Sequence, residues 1–160
     1  MEITSFIFSI ISVVFSIITY FVAVKYEKRK STIEAIHLLQ NEVLDKFVSI
    51  KKDNAVLIVE NLNNEKCREA YNDYRALIAR IEHFAEGVNS GIYDFKIVKN
   101  LLGRHFICLY DKVAPIINKT NENASDGLNY YNITNLIKKL KVKLENKRSR
   151  RTLKNGTFKM

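Results

Sequence analysis

Residues 3 to 24, ITSFIFSIISVVFSIITYFVAV, carry no charged side chain and are followed at once by Lys25, Lys28, Arg29 and Lys30. At a rise of ~1.5 Å per residue the run spans roughly 33 Å as a helix, enough to cross a hydrocarbon core. A buried helix of a water-soluble domain rarely needs an apolar run of that length. A secretory signal wants basic residues ahead of its apolar run and small residues at its end. Here Glu2 stands in front and Phe21-Val22-Ala23-Val24 closes the run, so a retained single-pass transmembrane helix is expected. The basic cluster after it points the C-terminal bulk into the cytoplasm and the N-terminus outside, as in a bacterial inner membrane. The lipid bilayer is thus the first expected partner.

Within this run Ser5, Ser9, Ser12, Ser16 and Thr19 recur at helical spacing and share one face. Small polar faces let helices approach closely in lipid, which makes the stripe a candidate self-association seam and a homo-oligomer an expected state. The competing use of these hydroxyls is a bond back to the carbonyl of the preceding turn.

Charge divides the rest of the chain. Up to Ile137 there are 16 Lys plus Arg and 16 Asp plus Glu, whereas from Lys138 onward there are 10 basic residues against Glu145 alone. The net charge of +9 therefore lies in the last 23 residues. The expected organisation is an anchor with its basic segment over 1–30, a helical cytosolic domain over 31–146, and a basic, disordered tail over 147–160. A domain of that length holds one core. Between residues 31 and 137 it is slightly acidic, 12 basic against 14 acidic residues, so that surface is no nucleic-acid platform. In the tail, Lys147, Arg148, Arg150, Arg151 and Lys154 are candidates for binding an anionic surface. Lipid headgroups are favoured over nucleic acid, because Phe158 is the only aromatic residue there.

With one Pro, five Gly and no sustained period-two alternation, the body reads as all-α: a small antiparallel helical bundle behind the N-terminal span. Ser31-Thr32-Ile33-Glu34 has the pattern of a capping box, and a span that simply runs on through it is the alternative. Ile33, Ile36, Leu39, Val43, Phe47 and Ile50 form one stripe. Within 53–64, Ala55-Val56-Leu57-Ile58-Val59 fits a short helix or a strand-like connector, and the short helix is favoured. Asn64 caps the longest helix, with Tyr71, Tyr74, Leu77, Ile78, Ile81, Phe84, Ala85 and Val88 inward. Asn89-Ser90-Gly91 ends that helix, and Asp94 caps the next, an antiparallel neighbour. The neighbour carries Ile97 through Val113 before Pro115 weakens or ends it. Thr120 to Gly127 reads as a polar loop, and a last helix is expected from about Asn129 to Asn146, with Tyr131, Ile133, Leu136, Ile137, Leu140 and Leu144 inward.

The central turn, Ile81-Glu82-His83-Phe84-Ala85-Glu86-Gly87-Val88-Asn89-Ser90-Gly91-Ile92-Tyr93-Asp94, sits behind a membrane span. In this it resembles a family of small bacterial and phage proteins catalogued as domain of unknown function 4760. The family pattern of an acidic residue, Ala-x-Gly and Gly-Ile-x-Asp falls on Glu82, Ala85, Gly87, Gly91, Ile92 and Asp94. An Asn often found three residues before the acidic position is replaced by Ala79. The resemblance covers roughly residues 31 to 143. It implies a single-pass anchor with a cytosolic helical domain and implies no activity.

Physically, Gly87 suits a close approach of the next helix, Gly91 a turn, and Asp94 a cap. Glu82 is left open between a latch, bonded by Arg80, Arg104 or Tyr110, and a solvent-facing carboxylate. Cys67 and Cys108 belong to no CxxC pair and read as reduced, buried thiols. His37, His83 and His105 stand singly and read as structural, so neither a metal nor another cofactor is expected. No phosphate loop, nucleophile elbow or zinc-helix motif occurs. The expectation is a non-enzymatic interaction or effector protein, linked through the family to phage or phage defence, that binds itself or a protein partner. A membrane-tethered nucleic-acid-binding protein is the alternative.

Overall fold

In the computed structural model, which describes residues 2–48, 51–122 and 129–156, helix α1 covers Glu2–Leu39 without a break at Ser31. Side chains are described for residues 7–47, 51–122 and 129–145. Of the two readings of Ser31-Thr32-Ile33-Glu34, the continuous helix is the one observed. The Thr32 hydroxyl donates to the Lys28 carbonyl at 2.6 Å, so it serves the helix interior and caps nothing. The 38 residues of α1 reach about 57 Å, and the rod is long and apolar enough to cross a membrane.

Every described side chain from Ile7 to Glu27 is exposed, including Phe8 at 70% and Phe15 at 71%. From Thr32 the same helix buries one face, through Ile36, Leu39 and Val43. Ile33, expected inward, is exposed, because Thr32 and Ile36, one turn apart, take the inward positions. A π-helical turn over Gln40–Leu44 then leads into α2, Asp45–Val48. Positions 39, 43 and 47 would drift by about 80° around an ideal α-helix. The wider π turn works against that drift, and Phe47 stays buried. Ile50 lies outside the described residues.

Helix α3, Lys52–Glu60, is the short helix expected there, with Ala55 buried and its end closed by Asn61, whose side-chain and backbone N–H groups both donate to the Leu57 carbonyl. Asn64 accepts from the Lys66 amide and starts α4, Glu65–Asn89. Helix α5, Phe95–Leu101, and α6, Gly103–Glu122, replace the single helix read from the sequence. The chain breaks at Leu102, which is buried, and Gly103 leaves room for Leu140. Pro115 does not end α6. An interior proline costs a helix about 3 kcal/mol, but Ile116 and Ile117 just beyond it are buried, each contributing roughly 1.5–3 kcal/mol. Thr120, expected to open a polar loop, is buried within that helix. Residues 123–127 of the expected loop lie outside the described residues.

Helix α7, Tyr131–Gly156, starts two residues later than expected and continues helical well past Asn146. The expected disordered tail is therefore helical as far as Gly156. Lys and Arg are good helix formers, and cations near a helix C-terminus are favoured by its dipole. Tyr131 is exposed, while Ile133, Leu136, Ile137 and Leu140 are buried as expected. No strand occurs among the described residues. Cys108 is exposed and Cys67 half-buried, both free, which corrects the reading of buried thiols. His37, His83 and His105 are all exposed, so none is a core histidine.

Cross-contacts fix the helix directions. Glu42 meets Arg80 at 2.9 Å and Phe47 stacks on Tyr74, so the end of α1 and α2 run antiparallel to α4. Tyr110 meets Thr134, and Gly103 faces Leu140, so α7 runs antiparallel to α6. Glu82 meets Asn132 and Asn89 meets Lys139, so α7 runs parallel to α4. At the end of the bundle remote from the apolar rod, the buried Tyr71 hydroxyl lies 2.9 Å from Thr120 Oγ1, which in turn donates to the Ile116 carbonyl. The tyrosine is therefore the donor to the threonine. In detergent micelles that cover the apolar half of α1, Tyr71→Phe should lower unfolding stability by about 0.5–1.5 kcal/mol, and Thr120→Val, which strands the buried Tyr71 hydroxyl, by about 1–3 kcal/mol. The double variant should lose less than the sum, as measured by denaturant titration.

Candidate functional site

Glu82 lies on the half-buried flank of α4, one residue after the buried Ile81. Its Oε1 accepts from the Asn132 amide and its Oε2 from the Ile133 amide, each at 2.8 Å. These are first-turn amides of α7, which have no partner within their own helix. Tyr130, immediately before α7, has φ 61° and no side-chain acceptor of the kind that normally caps a helix. A carboxylate from another helix takes that place, where the positive end of the helix dipole favours an anion.

Glu82 is thus a latch, but not to the partners the sequence suggested. Arg80 points to the opposite side and pairs with Glu42. Arg104 is exposed, and Tyr110 contacts Thr134. Asn89 adds a second clasp: its Nδ2 donates to the Asn132 carbonyl at 3.0 Å, and Lys139 Nζ donates to its Oδ1 at 3.0 Å.

The rest of the turn motif is also architectural. Ala85 is fully buried. A Cβ at Gly87 would lie 2.5 Å from the Tyr93 ring, so the close approach is made by the turn's own tyrosine and not by the next helix. Tyr93 stacks on Phe84, and Phe84 on Phe106. Gly91 has φ +82°, a conformation that side-chain-bearing residues rarely adopt. Asp94 Oδ1 accepts from the Lys96 amide at 2.8 Å and more weakly from Ile97 at 3.3 Å, capping α5 as expected. Ile92 is exposed, and nothing in the structure explains its place in the motif.

Sequence reading missed how the turn docks. The Asp94 amide donates to Thr32 Oγ1 at 2.8 Å, so a fully buried threonine of α1 holds the start of α5. The signal in the sequence is its position one turn before Ile36 on the inward stripe.

Beside the turn, α1, the π turn and α4 enclose a groove of about 310 Å³ lined by Ala35, Leu38, Leu39, Glu42, Val43, Arg80, His83, Phe84 and Tyr93. It is open to solvent and mostly apolar, and its rim carries the Arg80–Glu42 pair and His83. That pair is about half exposed, so it contributes little to stability. Among the described residues no group of three or more His, Cys, Asp or Glu side chains is placed to hold a metal ion.

On the apolar rod, Ser12, Ser16 and Thr19 donate to the carbonyls of Phe8, Ser12 and Phe15 at 2.8–2.9 Å. Ser9 is exposed, and the Ser5 side chain lies outside the described residues. Lys147, Arg148, Arg150, Arg151 and Lys154 fall on the helical backbone of α7, and their side chains also lie outside the described residues.

Replacing Glu82 by Ala should leave two α7 amides without a protein acceptor and cost about 1–3 kcal/mol, with faster hydrogen exchange in the first turn of α7. Glu86→Ala, at a side chain 63% exposed, should change stability by less than about 0.5 kcal/mol. Equal effects of the two substitutions would remove the latch.

No match is found among curated proteins or among solved structures. One family model does match, described as Domain of unknown function (DUF4760), over residues 6–140. That range takes in the apolar rod, the motif-bearing turn and the latch on α7, and the chain belongs to this family.

Proposed function

We propose that the chain is a single-pass bacterial inner-membrane protein, N-terminus outside, whose cytoplasmic bundle works as a non-enzymatic interaction or effector module. The observation that carries the membrane part is the change along α1. Its side chains are exposed all round up to Glu27, and one face is buried from Thr32. Between Ile7 and Val24 about a dozen large apolar side chains lack protein cover, and lipid would stabilise each by about 1.5–3 kcal/mol. That total exceeds the 5–15 kcal/mol typical of a whole domain. Lys25, Lys28, Arg29 and Lys30 then favour the cytoplasmic side.

The non-enzymatic part is supported by how the motif is used. Glu82 and Asp94 spend their carboxylates on helix amides, and Gly87 makes room for Tyr93. These motif positions hold helices together and leave no free group for chemistry. Interaction then runs through self-association or a protein partner, in the phage or phage-defence setting that the family resemblance implies. With the donors of Ser12, Ser16 and Thr19 already used within α1, self-association of the span would rest on close packing of small side chains.

A C-terminal tag should resist protease added to intact cells and become sensitive once the membrane is opened. Val14→Arg, a mid-span charge costing about 2.5–3.5 kcal/mol, should reduce insertion. Digestion of the tag from outside would reverse the orientation.

A further inference from the structure

The register of α7 carries the basic end of the chain to the same end of the bundle as the basic segment of α1. Asn89 at the C-terminus of α4 is reached by the Asn132 carbonyl and by the Lys139 side chain of α7, and the turn after α4 is tied to Thr32 of α1. From Thr32, α1 runs back through Lys30, Arg29, Lys28 and Lys25 into its apolar half. Helix α7 points the same way, because it is parallel to α4 while α1 is antiparallel to it. From Lys139 to Gly156 it advances about 25 Å, whereas α1 needs only about 12 Å from Thr32 to reach Val24. The end of α7 therefore passes the level at which the apolar rod begins.

Charge decides what can meet it there. From Lys138 to Gly156 the helix holds nine basic residues and one acidic, Glu145. Among those whose side chains are described, Lys139 is engaged with Asn89 and Lys141 with Asp111. Lys138 and Lys143 are exposed, as are Lys25 and Arg29 of α1. At 100° per residue Lys147, Arg148, Arg150, Arg151 and Lys154 fall within one arc of about 160°, and the remaining residues of 147–156 are Ser149, Thr152, Leu153, Asn155 and Gly156, too little apolar surface for hydrocarbon contact. A helix of this composition suits contact with a headgroup layer rather than entry into hydrocarbon.

We propose that the C-terminal half of α7 and the Lys25–Lys30 segment of α1 together form a binding surface for anionic phospholipid headgroups. This rests on the reading that α1 spans a membrane. Contact is electrostatic and dissociable. It orients the bundle against the leaflet and fixes the rotation of the cytoplasmic domain about α1.

The test uses the full chain with Cys67→Ser and Cys108→Ser and a nitroxide label at Thr152→Cys, reconstituted into phosphatidylcholine vesicles with or without phosphatidylglycerol. Flotation and resistance to alkaline carbonate first report whether the chain is inserted; failure to insert overturns the membrane reading and this proposal with it. With insertion shown, phosphatidylglycerol should immobilise the label and shield it from a water-soluble relaxation agent. Molar salt, with a Debye length of about 3 Å, should reverse both effects. Joint substitution of Lys147, Arg148, Arg150, Arg151 and Lys154 by Glu should abolish the lipid response while leaving insertion intact. Equal mobility and exposure in the two vesicles would overturn the proposal, as would protection by an added oligonucleotide with no effect of phosphatidylglycerol, which assigns the surface to nucleic acid.

Discussion

Every helix needs acceptors for its first amides, and α7 begins where its own sequence supplies none. Tyr130 stands before it at φ 61°, and the amides of Asn132 and Ile133 go to Glu82, 50 residues away in the chain. The latch gives α4 and α7 a common register, reinforced about two turns of α4 later by Asn89 and Lys139. Sliding α7 by one residue would break both carboxylate bonds and move Ile133, Leu136, Ile137 and Leu140 out of the core. Polar and apolar terms thus specify the same alignment, and that agreement makes it unique.

A second polar contact joins α1 to this unit. Thr32 is fully buried, yet its hydroxyl is satisfied twice, donating to the Lys28 carbonyl and accepting from the Asp94 amide. Valine would fill the same space but leave the amide without that acceptor. Because α1 is continuous from Glu2 to Leu39, the hydroxyl that holds the turn belongs to the same rod as the exposed apolar half. Rotation of that half about its axis acts directly on the turn, with no flexible linker between them.

Much of this was legible from residue types alone. The apolar run, the caps Asn64 and Asp94 and the left-handed Gly91 are local devices, readable within a few residues. The inward faces of α4 and α7 follow from periodicity. What escaped depends on contacts distant in sequence. The carboxylate of Glu82 finds backbone amides, which no side-chain pattern advertises. In the sequence Thr32 reads as part of a capping box, and the adjacent Ile33 takes the first position of the apolar stripe. Of the two outcomes open at Pro115, a weakened helix or an ended one, the helix continues, because Ile116 and Ile117 are buried in a way that only the tertiary fold reveals. Gly87 was rightly read as a point of close approach, but the partner, Tyr93, comes from the turn itself.

The helical state of the basic segment follows from the same latch. A stretch rich in Lys and Arg buries little and nucleates poorly on its own, which is why it reads as disordered in isolation. Here nucleation is already supplied: Glu82 caps the first turn of α7, Leu136 and Leu140 hold its middle in the core, and elongation costs little for residues of good helix propensity. The cations also lie toward the C-terminal, negative end of the helix dipole, where they are favoured. A cap near Asn132 therefore governs order some twenty residues away, and the direction it imposes collects the chain's excess positive charge at the end of the bundle from which the apolar rod emerges.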